Sequence, residues 1–325
     1  MAKIVFGMAI PHSAMLGKPG DTWLDDGQRD RANPALVYRN REWTFPDLVA
    51  ERSASHFEEQ LSDDVLNERK ARCDAAIAQM RAAYEAADVD IVVIIGKDQK
   101  EIFIEHSPSI AVFSGEEIHN GPPQKLVFAP DHPVTYPGHP DLARHILATL
   151  GTQGFDLTDL MKWPENKWMR GARIVPHAFG FVYHQIMSDK DTPSVPVLMN
   201  TFFAPTQPSM TRALSFGKAL VEAIRSWEVD ARVAIIASGG LSHFVCDEEF
   251  DREIIDYLAK GDLDALEAVD DRSYQSGNSE VKLYAPVAVA MDSIGAKMTL
   301  VDYVPCYRTE AGTGEGMAFM YWTPQ

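Results

Sequence analysis

Short apolar runs recur along the chain, each ended by small or charged residues, with stretches of helical period between them. Ile4 to Ile10, Asp90 to Gly96, Ser109 to Phe113, Pro196 to Phe203 and Val233 to Ala237 are such runs. Their length and their Gly, Pro or charged flanks predict strands buried on both faces. Phe155 to Leu160 reads as a short strand or turn, and Thr299 to Arg308 and Gly316 to Thr323 as two closing strands. Leu48 to Ala87 predicts helix with a break near Ser62, entered through Thr44 as a cap. Pro140 to Leu150 predicts a helix begun by proline and ended by Gly151. Further helices are predicted over Phe181 to Met187, Met210 to Trp227, Asp247 to Lys260, Asp262 to Val269 and Val281 to Ser293. Met15 to Arg41 and Glu116 to His132 lack periodicity and read as long loops. Alternating strands and helices predict an α/β fold: a single domain over 1–325, with a central mixed sheet flanked by helices.

The 325 residues are 46% hydrophobic, enough for a sizeable core. The net charge of −17 argues against nucleic acid and against anionic membrane surfaces as partners. Cys73, Cys246 and Cys306 form no CxxC pair and no disulfide framework, which points to a reducing compartment. The N-terminus runs straight into a strand, and no apolar segment is long enough to span a bilayer. The expectation is a soluble cytoplasmic protein.

Chemistry concentrates where strands end. His243 follows Val233 to Ala237 across Ser238-Gly239-Gly240, His12 follows Ile4 to Ile10, and His177 follows the short run Arg173 to Pro176. Glu280 ends Ser276-Gly-Asn-Ser-Glu at the start of a helix. Open α/β sheets build their sites at the carboxyl ends of strands. Imidazole there can move protons near neutral pH. An imidazole and carboxylate set without thiolates also suits iron(II), zinc or manganese. Each histidine taken alone is more often a hydrogen-bonded structural residue. Phosphate-loop, dinucleotide, HExxH and GxSxG patterns are absent, and Gly312-x-Gly-x-Gly316 reads as a tight turn.

Ile10-Pro-His12-Ser, Gly138-His-Pro-Asp-Leu-Ala143, Val175-Pro-His177, Ser238-Gly-Gly-Leu-Ser-His243, Ser276-Gly-Asn-Ser-Glu280 and Gly312-Thr-Gly follow one another in an order that resembles the class III extradiol ring-cleavage dioxygenases. The likeness is to the type of the protocatechuate 4,5-dioxygenase catalytic subunit and runs nearly end to end. It implies a non-haem Fe(II) enzyme that opens a catechol-like or aminophenol-like aromatic next to its diol with O2. His12 and Glu280 match two metal ligands. His177 and His243 match two catalytic histidines outside the metal's first ligands. The family's second metal histidine is missing: its place reads Lys97-Asp98-Gln99. Gln99 is the candidate third ligand, with Asp98, or one of His56, His106 and His119, as substitutes. The alternative is a family member with a modified or lost metal site, acting as a zinc-type hydrolase or as a non-catalytic binding or partner subunit. The resemblance implies a homo-oligomer and allows for a small companion subunit.

Overall fold

A computed structural model describes residues 1–324. One large sheet organises them. Its strands run in the order His243–Val245, Thr313–Thr323, Lys3–Ile10, Arg232–Ser238, Ile91–Gly96, Ser194–Met199, Ile110–Phe113 and Thr158–Leu160, and Lys297–Tyr307 lies along Thr313–Thr323. The four central strands from Lys3–Ile10 to Ser194–Met199 are parallel, and antiparallel strands close both sides. The sheet is therefore mixed, and helices cover it, as the alternating pattern predicts.

Side-chain alternation divides the core in two. In the central strand, Ile91, Val93 and Ile95 face one apolar cluster, with the helices Met210–Ser226 and Val281–Asp292. Val92 and Ile94 face the other, with Asp63–Ala86. This two-sided burial explains why the strand reads as an unbroken apolar run.

Caps fall where the sequence places them. Thr44 accepts from the Asp47 N–H, and Asp262 from that of Ala265. Three expectations need correction. Glu116–His132 is not all loop: it opens with the strand Glu117–Asn120, paired with Val134–Pro137. Met15–Arg41 is not a loop: it holds two 3-10 turns, the helix Trp23–Arg31 and a strand, Leu36–Tyr38. That helix is polar almost throughout, and its anchor is one fully buried indole, Trp23, donating to the Met15 carbonyl. Leu48–Ala87 is also less helical than its composition suggests. It breaks into Phe45–Glu51, two 3-10 turns and Asp63–Ala86, with left-handed backbone at His56. Among the described residues no helix is long and apolar enough to cross a membrane.

Candidate active site

The parallel strands deliver their carboxyl ends to one rim. Ile10 pairs with Ser238 and Ala237 with Ile95, so His12, Lys97 and the glycine turn after Ser238 start side by side. Glu280 arrives from the opposite direction, at the N-terminus of the helix Val281–Asp292.

Two sequence motifs interlock here. Glu280 Oε2 accepts the Gly240 N–H at 2.6 Å, and Asn278 Oδ1 accepts the His243 N–H at 3.3 Å. Gly277 lies so close to His243 that a Cβ on it would stand 1.6 Å from the His243 carbonyl oxygen. Only glycine allows that approach. Asp251 holds the same turn from behind, taking the N–H and hydroxyl of Ser242 and the Tyr303 hydroxyl.

The structure brings His12, His177, His243 and Glu280 together. His12 Nε2 and His243 Nε2 lie 3.8 and 3.4 Å from Glu280 Oε1. The His12 and His177 rings meet edge to face at 5.0 Å. Gln99, three residues past the end of its strand, is half-buried and makes no hydrogen bond to Glu280 or the histidines. Asp98 is spent on the backbone, accepting the N–H groups of Glu101, Ile102 and Phe103. His56, His106 and His119 are exposed and lie outside the cluster.

The position beside Glu280 belongs instead to Lys97, whose Nζ is 2.6 Å from Glu280 Oε1. Lys97 is 1% exposed and Glu280 3%. At 2.6 Å the pair spends one ammonium N–H on the carboxylate, and among the described residues Nζ meets no further hydrogen-bond partner.

The hydrogen bonds fix the tautomers. Ser238 Oγ donates to the Ala178 carbonyl, so its lone pairs receive the N–H of His12 Nδ1 at 3.1 Å. His12 Nε2 is then a bare acceptor facing Glu280 and Lys97. Burial, aided by the cations around it, pushes the His12 pKa down to about 3 against the pull of Glu280. His243 is oriented the other way: Nδ1 donates to the Leu241 carbonyl, turning Nε2 to Glu280. Burial alone would lower the His243 pKa, but the Glu280 charge outweighs it and the net shift is upward. Burial likewise opposes ionisation of Glu280, yet Lys97, His243 and His12 together hold its carboxyl well below the usual range.

Glu101 was not foreseen. It is fully buried, and its Oε1 takes the N–H of His177 Nδ1 at 2.5 Å while Oε2 accepts the His177 backbone N–H. Burial would lower His177, but the Glu101 charge and hydrogen bond raise it. A buried carboxylate orienting an imidazole leaves Nε2 as an aimed proton donor or acceptor. The available signal was an acid beside the apolar pair Ile102-Phe103, just past a strand end.

Residues 59–314 match the family described as the catalytic LigB subunit of aromatic ring-opening dioxygenase. The chain belongs to that family. The match takes in Lys97, His177, His243 and Glu280, and His12 precedes it. No curated protein matches the chain. Membership supports ring-opening oxygenase chemistry on aromatic compounds in general terms.

The donors do not fit the divalent metal that the resemblance implies. Among the described residues no group of three His, Cys, Asp or Glu side chains is arranged to hold one. An ammonium already occupies the contact with Glu280 Oε1. A second cation on that oxygen would lie a few ångströms from the first in a dry site, where like charges repel strongly.

Proposed function

We propose that this chain binds the anion of a small aromatic ring compound on the Lys97 ammonium, with His12 and His177 placed to move protons on it and with no resident metal. One observation carries the reading: a buried ammonium is charge-paired to Glu280 and has no other partner for its remaining N–H donors. A buried cation with unused donors is a place for a phenolate, enolate or carboxylate oxygen. His12, neutral and with Nε2 bare, suits a base that takes a phenolic proton. His177, whose pKa the Glu101 charge and hydrogen bond raise, suits the acid that returns one. His243 turns Nε2 to Glu280, whose charge raises its pKa. The rim is dry enough for these charges to act strongly, since His12, Lys97 and Glu280 are all buried.

The second reading is iron(II)-dependent extradiol opening of a catechol-like or aminophenol-like ring with dioxygen. Family membership and the convergence of His12 and His243 on Glu280 favour it. It requires Lys97 to withdraw from Glu280.

Protein purified without oxygen and titrated with iron(II) separates the two. The proposal expects no stoichiometric iron and no oxygen uptake on adding 3,4-dihydroxybenzoate, with the acid still bound. One iron per chain and brisk oxygen uptake would replace it with the second reading.

A further inference from the structure

Trp168 is 54% exposed, yet it sits beside a buried catalytic cluster. Its indole lies 6.4 Å from the His177 ring, the planes within 20° of parallel. The turn that carries it, Lys167–Met169, is firmly tied down. Asn166 is fully buried and accepts the N–H groups of Trp168 and Met169. Its Nδ2 reaches Glu101 Oε2 at 3.4 Å, and the Lys167 N–H donates to the Glu101 carbonyl at 2.7 Å. The same Glu101 holds both the ring and the backbone N–H of His177. One buried glutamate therefore sets an exposed indole and an active-site imidazole against each other. Phe128 closes the flank of His177, ring edge to face at 5.1 Å, and Phe202 stands 4.9 Å from Lys97 Nζ.

We propose that Trp168 is the ring-recognising residue of this site, receiving the flat face of the substrate opposite His177, with Glu101 as the positioning residue for both walls. The inference rests on the reading that Lys97 takes the substrate's negative charge, and it adds which residue recognises the flat ring and which holds that residue in place. Two ring faces in contact lie roughly 3.5–4 Å apart, so a ring between two others needs roughly 7 Å. The 6.4 Å between centroids is an upper bound on the gap between the faces, so the half-exposed indole must swing outward about its own side-chain torsions while its backbone stays anchored. The ammonium lies on the same rim, so a flat ring in this slot can direct an anionic group at Lys97. Water-exposed indole is then explained by what it covers when substrate is bound.

The test uses two acids of equal charge: 4-hydroxybenzoate, which is planar, and cyclohexanecarboxylate, which is puckered. Calorimetric titration of the full chain is expected to show the planar acid binding about threefold to tenfold more tightly. Trp168→Ala should erase that preference and leave the puckered acid's affinity unchanged, and Trp168→Phe should keep most of it. Glu101→Gln should weaken the preference and also move the His177 titration, which Trp168→Ala should not. Lys97→Met should weaken both acids alike. A planar preference that survives in Trp168→Ala, or equal loss of both acids there, overturns the ring slot and leaves the charge reading intact. Undiminished binding of both acids by Lys97→Met overturns the charge reading, while Trp168→Ala still decides the slot. If neither acid binds the wild-type chain, both fall.

Discussion

Lys97→Met removes one charge from a dry pair and leaves Glu280, 3% exposed, to keep or lose its own. Breaking a buried ion pair by deleting one partner costs about 3–5 kcal/mol. His243 still lies 3.4 Å from Glu280, so the lower end, about 3 kcal/mol, is expected here. Unfolding entropy of about 2.1 cal/mol/K per residue, over 325 residues, gives roughly 0.7 kcal/mol/K, so Tm should fall by about 4 °C. Glu280→Gln keeps an acceptor for the Gly240 N–H but strands Lys97, and should cost a similar amount. The double variant strands neither. It should be well short of the sum, with a coupling energy of about 2–3 kcal/mol. The pH dependence follows from the sign of the shift. The Glu280 carboxyl is depressed in the folded state, so its contribution is complete above the unfolded value, near 4.3, and is lost as pH falls through the folded one. Without Lys97 the carboxyl is less depressed and takes up its proton earlier, so the gap between variant and wild type should be widest at neutral pH and close with acid. Urea unfolding of the four proteins at pH 7 and at pH 4 measures all of this. Additive single effects, or a gap that does not change with pH, would refute the ion pair as the organising contact of the site.

Gly277→Ala places a Cβ inside the His243 carbonyl contact, so it should displace the Ser242–His243 turn and abolish turnover, with a loss of more than about 3 kcal/mol in urea unfolding. Glu101→Gln removes the charge that raises His177, so the imidazole should titrate at lower pH by NMR. A raised histidine contributes stability fully present below its unfolded value, near 6.5, and lost as pH rises through the folded one, so this variant should lose more stability at pH 6 than at pH 9. Gln99→His should leave iron(II) affinity unchanged in metal titrations, whereas Lys97→His, which removes the fixed cation and adds an imidazole beside Glu280, should raise it; the reverse ranking would return the metal site to Gln99.

Much of this arrangement is legible in the sequence. The two-sided strands are visible as apolar runs, and the chain order of motifs brings His12, His177, His243 and Glu280 to one rim. Lys97 was not legible as the partner of Glu280. Lys97 and Gln99 share the alternation of an extended strand, so pattern alone offers either to the site. Asp98 gathers three backbone N–H groups and so turns the chain after Lys97, which ends the alternation before Gln99. Glu101 and Trp168 lie on irregular backbone, where no periodicity marks a side chain as facing inward. The helix Trp23–Arg31 lacks a pattern for the opposite reason: its apolar side chains, Trp23 and Leu24, are adjacent in its first turn, and two neighbours make no stripe.

The floor of the site and its mouth stand in different mechanical circumstances. Lys97 directly follows its strand, His12 comes two residues after Ile10, and those strands are laddered to the Arg232–Ser238 strand between them. Their spacing is thus locked to two inter-strand steps, about 9.6 Å, and widening it would break the central ladder. The Trp168 wall hangs on a short turn held mainly through Glu101 and Asn166. Amide hydrogen exchange should separate the two: amides of Ile91–Gly96 and Arg232–Ser238 exchanging only through global opening, those of Lys167–Met169 through a local one. Substrate choice in this protein can accordingly drift by remodelling one turn, while the charges that act on the substrate stay where the sheet has put them.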